Sequence, residues 1–173
     1  MKPFSIVGAL SFFVILLSAV GAGRQHVSAH EKAPMEYCKV AADFGRYDHK
    51  VLRIRGVYRT GGEIMSFYDP SCPAADLASW VDYSSDFKRQ TSPADMSIME
   101  KLIREDGRVQ VDVLAEFDGP KPVSIPNGTP AEIADVMRGT NSRWGHANQF
   151  RFRLRFLKVL AVSPVPKTTP WPQ

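Results

Sequence analysis

The sequence predicts a mainly β domain: an OB-like five-stranded Greek-key barrel with a helix between strands 3 and 4 and a short N-terminal helix in front. Three observations lead there. Segments with period-two alternation recur along the chain, most clearly at residues 51–59, 108–117 and 149–162. The strongest helix signal, opening at Ser92, falls after the third extended segment and before the fourth. Gly56 interrupts the first strand, which in such a barrel must curl to serve both halves. Strand, strand, strand, helix, strand, strand is the OB order. The competing architecture is an unrelated α+β sheet with one helix packed on it.

The chain ends read as lying outside that domain. Residues 4–20 carry no charge and are rich in Phe, Val, Ile, Leu and Ala; Lys2 precedes them, and Gly21, Ala22 and Gly23 follow. This is the order of a secretory signal peptide over residues 1–22, cleaved after Ala22, with Ala29 as a later option. The alternative is a permanent anchor, but 17 helical residues span about 25 Å, short of a hydrocarbon core of about 30 Å. No cysteine lies near the cleavage site, so a secreted or periplasmic protein without a lipid anchor or stable membrane span is expected. Residues 23–34 read as a flexible arm. Residues 164–173, with Pro164, Pro166, Pro170 and Pro172, read as an extended Pro-rich tail. The domain is residues 35–163.

An exported protein meets an oxidising compartment, where thiols pair. Cys38 and Cys72 are the only cysteines, and a bridge between them contributes about 4 kcal/mol in the chain-entropy model. A reactive thiol pair needs a Cys-x-x-Cys spacing or a helix-N-terminal thiolate, and neither is evident.

The elements follow in order. Residues 35–44 read as a short helix opened by Pro34, with Tyr37, Cys38, Ala41 and Phe44 at helical spacing. In the strand at 51–59, Leu52, Ile54 and Tyr58 take one face and Arg53, Arg55 and Arg59 the other, with Gly56 marking a bulge or bend. Gly61 and Gly62 make a hairpin turn into a strand at 63–69. A third strand, at 78–83, holds Trp80, Val81 and Tyr83. Ser92, Pro93 and Asp95 form a helix start; Met96, Met99, Leu102 and Ile103 form its apolar face, and Gly107 ends it. At 108–117, Val109, Val111, Val113, Ala115 and Phe117 alternate with Gln110, Asp112, Leu114 and Glu116. A long insertion, 118–147, contains a helix start at Thr129-Pro130-Ala131-Glu132. The last strand, 149–162, points Phe150, Phe152, Leu154 and Phe156 inward and Arg151, Arg153 and Arg155 outward, with a phase slip at Leu157-Lys158 that predicts a bulge.

Composition narrows function by exclusion. At 44% hydrophobic and 23% charged, the chain is neither disordered nor a disulfide-dense mini-protein. A net charge of +4 permits an anionic partner without requiring one. Two cysteines and 4 scattered histidines spell no metal site, and no cofactor is expected. Phosphate-loop, dinucleotide and nucleophile-elbow motifs are absent.

Two sets of residues are candidates for ligand binding. Outward Arg53, Arg55, Arg153 and Arg155, flanked by Arg59 and Arg151, form rows able to hold phosphate or another polyanion. The plainer account is cross-strand pairing with Asp112 and Glu116, which leaves an arginine surplus. Tyr68, Trp80 and Tyr83, with Phe67, lie on the strands where OB barrels stack rings on their ligands. The plainer account places about half of them in the core.

The run Cys38, Tyr47-x-x-Lys50-Val51-x-Arg53-x-Arg55-Gly56-x-Tyr58, then Asp69-Pro70-x-Cys72, then Gly145-His146-x-x-x-Phe150, resembles a group of small exported bacterial proteins with an OB-like fold. The resemblance spans most of residues 38–162 and implies export and fold, with no particular activity; the 118–147 segment departs from it.

The function expected is a non-enzymatic binding or structural module of the bacterial cell envelope, monomeric, with an envelope protein, a glycan or a polyanion as partner. Export argues against nucleic acid. The alternatives are a polyanion or nucleic-acid binder using the arginine rows, and a hydrolase with its site near His146.

Overall fold

A computed structural model describes residues 33–72 and 77–169. The expected signal peptide, most of the flexible arm and residues 170–173 lie outside the described residues. The elements, in chain order, are β1 (Met35–Glu36), α1 (Tyr37–Ala42), α2 (Phe44–Tyr47), β2 (Lys50–Gly61), β3 (Ile64–Tyr68) and β4 (Ser79–Tyr83). They continue with α3 (Phe87–Gln90), α4 (Pro93–Asp106), β5 (Arg108–Asp118), α5 (Ala131–Asn141), a 3-10 turn (His146–Asn148) and β6 (Phe152–Ser163).

The strands close in the order β2-β3-β4-β6-β5 and back to β2, with β1 as an outer strand. The β4–β6 pairing is parallel, and the other barrel pairings are antiparallel. This is the expected OB-like barrel, with helices between its third and fourth strands. Both edges of β2 are taken: β5 runs along one from Lys50 to Arg59, and β1 then β3 occupy the other. The last strand, β6, therefore closes between β4 and β5.

Alternation sorts the core as the sequence implies. Ile54, Tyr58, Val109, Val111, Val113, Ala115, Phe117, Phe152, Leu154 and Phe156 are buried in one cluster. Opposite β5, the pairings step from Val159 to Ala161 and from Phe156 to Lys158, so Leu160 and Leu157 are extra residues. The bulge expected at Leu157 is thus present, with a second three residues on. Between them, the Val159 amide donates to Thr91 Oγ1 at 3.1 Å, tying β6 to the approach of α4. In α4, Ser92 Oγ accepts from the Asp95 amide at 3.1 Å, Pro93 begins the helix, and Gly107 ends it at φ 67°.

Several local expectations change. Met35 and Glu36 are strand rather than helix, paired in parallel with Ile54 and Arg55. They cover the edge of β2 that β3 reaches only from Val57 onward. Gly56 marks no bulge, since the β2–β5 register runs through it unbroken. It is a point of close approach: a Cβ there would lie 2.4 Å from the Phe67 ring and 2.8 Å from the Tyr68 carbonyl. Gly61 pairs with Ile64, so the hairpin turn is Gly62-Glu63, with Gly62 at φ 60°. Thr129 does not cap α5; its hydroxyl donates to the Pro126 carbonyl at 2.7 Å, and Pro130 occupies the cap position. Phe150 lies outside β6, drawn into a bridge with Trp144. The described part of the tail turns at residues 166–169 rather than staying extended: the Thr169 amide donates to the Pro166 carbonyl, and the Thr169 carbonyl accepts from Arg108 at 3.1 Å.

Cys38 and Cys72 are bridged, with Cα atoms 5.4 Å apart, fastening α1 to the segment after β3. Beside them the fully buried Tyr37 donates its hydroxyl to the Leu77 carbonyl at 2.6 Å and pairs with Ser79 Oγ. Thiol titration of the denatured, unreduced protein should find no free thiol. The Cys38→Ser/Cys72→Ser double variant should lose about 2–4 kcal/mol of stability by denaturant unfolding.

Burial pushes the Tyr37 hydroxyl far above its ordinary value, near 10. Its neutral form therefore supports folding fully below pH about 10 and progressively less above it, as the unfolded chain ionises first. Tyr37→Phe should cost about 1–2 kcal/mol at pH 7, because the Leu77 and Ser79 partners are orphaned. Between pH about 10 and 12 its stability should fall less steeply than the parent's, by up to about 1.4 kcal/mol per pH unit. Parallel slopes would refute this role for Tyr37.

Candidate functional site

The expected arginine rows are present, and their guanidinium groups are engaged. Arg53 meets Asp112 through Nε at 3.0 Å and Nη2 at 2.9 Å, and Arg55 reaches the same carboxylate at 3.3 Å. Arg153 holds Asp118 at 2.8 Å and Asp82 at 3.3 Å, and Arg155 holds Glu116 at 3.1 Å. These four arginines face four carboxylates, so this part of the outer face is charge-balanced. Asp82 and Asp118 were absent from the expected pairing. Asp118 ends β5, and Asp82 comes alongside through the parallel β4–β6 pairing, which sets it opposite Arg155. Arg151 lies outside β6, its guanidinium carbon 5.1 Å from the Phe44 ring centre and 5.3 Å from that of Phe152. Arg55 is the most exposed of the four and borders two recesses, a mixed one of about 370 Å³ and a more polar one of about 300 Å³.

At one end of the barrel these pairs extend into a polar and aromatic network. Asp118 is buried, with one oxygen 2.9 Å from His49 Nδ1 and the other on Arg153. His49 adopts φ 57°, which a non-glycine residue seldom takes, while its ring stays exposed. Arg153 lies 3.9 Å from the Trp144 ring centre, and Trp144 Nε1 donates to the Gly119 carbonyl at 2.8 Å. Asp48, His49 and Asp118 bring ligand-type atoms within 4.8 Å of one another. Their oxygens and nitrogens are spent on one another, on Arg153 and on the Gly119 amide, which suits structure better than a cation.

The aromatic candidates separate. Tyr68 is buried. Trp80 donates Nε1 to Asp82 at 2.8 Å and is pressed by Gly145, where a Cβ would lie 2.5 Å from its ring. Tyr83 is 39% exposed and lines a cleft where the barrel meets α3 and α4. His146 sits apart, its Nε2 2.9 Å from the exposed Glu63.

That cleft has a volume of about 450 Å³, within the range of small-molecule sites. Its barrel wall is Tyr58, Met65 and Tyr83, and its helical wall is Phe87, Met96, Met99 and Ile103. Tyr83 donates its hydroxyl to that of Tyr58 at 2.6 Å, and its ring centre lies 4.6 Å from that of Phe87. Thr60, Ser84 and Ser85 supply hydroxyls, and Lys88 and Glu100 supply charge. Ser84 Oγ is buried without a hydrogen-bond partner among the described residues. Sequence reasoning placed Met96, Met99 and Ile103 on the apolar face of the helix. Helical period says which side faces inward; it does not say how closely that side is filled.

No family model, curated protein or solved structure matches this chain.

The two classes of ion pair on the outer face should behave differently. Asp118→Asn removes the buried charge that Arg153 and His49 share, leaves Arg153 with Asp82, and should cost about 3 kcal/mol. Glu116→Gln, at a partly exposed pair, should cost less than about 1 kcal/mol. Urea unfolding of both variants measures the difference, and equal losses would contradict this assignment.

Proposed function

We propose that the chain is an exported, non-enzymatic binding module of the bacterial cell envelope, and that the cleft beneath α4 is where it binds. The observation that carries this reading is the cleft itself: a half-open, mainly apolar recess of about 450 Å³ with a few hydroxyls, built on a rigid barrel. The Cys38–Cys72 bridge supports an oxidising compartment. Among the described residues, no helix is long and apolar enough to cross a membrane.

The polyanion reading draws on Arg55, whose exposed guanidinium borders two recesses. Its weakness is the charge balance around Arg53, Arg153 and Arg155, since a basic field attracts phosphates only where it is uncompensated. The hydrolase reading rests on His146, whose described partner is the single exposed carboxylate of Glu63. A general base needs a third group to orient it and a substrate proton within reach.

Thermal unfolding against fractionated envelope extract tests the module reading. A ligand at a hundredfold excess over its Kd stabilises the fold by about 2.7 kcal/mol, which for a domain of this size is roughly 10 °C. A shift of that order with a small-molecule fraction is expected. A shift produced only by heparin, and erased by moderate salt, would favour the arginine rows. Turnover on a hydrolase panel that is lost in His146→Ala would overturn the module reading.

A further inference from the structure

Resting on that reading of the cleft, we infer that its ligand is an uncharged amphiphile: an apolar body of roughly 15–18 non-hydrogen atoms with one hydrogen-bonding head. Size gives the first bound. A dry cavity of about 150 Å³ accepts one benzene, and this cleft has about 450 Å³. Wall chemistry gives the second. Met65, Met96 and Met99 are unbranched and polarisable, so they mould to an apolar body of varied outline. The tilted rings of Tyr83 and Phe87, 36° apart, offer that body a broad apolar surface.

Charge gives the third bound. Lys88 on α3 and Glu100 on α4 both line the cleft, and both are exposed. Together they leave the rim without net charge, so neither sign of head gains from it, and a charged head would still lose hydration beside the apolar walls. The remaining polar partners are hydroxyls. Thr60 and Ser85, which line the cleft, are the ones a ligand's head would meet.

Two fluorescent probes that share one ring skeleton separate these statements. N-Phenyl-1-naphthylamine is neutral, and 1-anilinonaphthalene-8-sulfonate adds a fixed negative charge. With the protein purified after export, the neutral probe should bind saturably, with one site per chain. The sulfonate should bind at least tenfold more weakly. Met96→Trp, which fills the cleft from α4, should weaken the neutral probe at least tenfold. If that variant fails to fold, Glu100→Trp, at an exposed position on the same rim, replaces it.

Equal or tighter binding of the sulfonate would overturn the assignment, as would unchanged neutral-probe affinity in a folded cleft variant. A concentration-dependent dimer that excludes the probe would overturn it in favour of a second copy as occupant. Should the neutral probe fail while an envelope fraction still raises the melting temperature, the ligand class falls and the binding module stands. If neither acts, both fall.

Discussion

Asp112 and Asp118 lie on the outward face of β5, yet each is only 2% exposed, close to the core valines pointing the other way. A carboxylate so far from water is tolerated only with partners. Asp112 takes Arg53 twice and Arg55 once; Asp118 takes His49 and Arg153. Those partners come from β2, from the turn before it and from β6, so the two acids clamp the three long strands together. A slip of one residue would turn Asp112 into the core and Val111 or Val113 outward. The net stability of such pairs is modest beside that of apolar groups of equal volume. Their contribution here is to register, because each wrong register strands a buried charge.

That clamp explains which parts of the fold were legible from residues alone. Period two along β2, β5 and β6, the Ser92 cap and the Gly107 stop are local patterns, and each appears where its pattern lies. Met35 and Glu36 follow no strand pattern of their own. They become strand because β2 has an open edge at Ile54 and Arg55, a fact about a neighbour nineteen residues away. Gly56 marks the right place without the bulge: the missing side chain makes room for the Phe67 ring of the neighbouring strand β3, and spacing along one strand does not encode a ring that leans over from the next.

The candidate site was less legible, for the same reason. The arginines were visible as an alternating row, while two of their counter-charges, Asp82 and Asp118, arrive through the parallel β4–β6 pairing and the final residue of β5. Counting acids on the strand opposite therefore overstated the basic surplus. Tyr83 was visible as an aromatic on the third strand and Met99 as an apolar helix position, while Phe87 lies on the short α3, which no local pattern announced. A cleft is a property of the gap between elements, and the hydrophobic pattern of each element is the same whether the gap is closed or open.

The way α4 is attached shows why a gap persists there. Its approach is tied to β6 by Thr91 Oγ1 and the Val159 amide. Its end is tied to β2, where the Thr60 amide donates to the Gly107 carbonyl at 3.1 Å. A helix of 14 residues is about 21 Å long, and both ends are held by backbone groups whose positions the barrel sets. Between those anchors only Met99 is buried, while Met96, Leu102 and Ile103 remain partly exposed, Met96 and Ile103 of them at the recess. Full collapse onto the barrel would bury more apolar surface, but it would also have to move one anchor or the other. The bulges at Leu157 and Leu160 flank Val159, the residue that holds the first anchor. The irregularity in β6 thus does more than bend a strand: it helps place the helix start, and through it the width of the cleft.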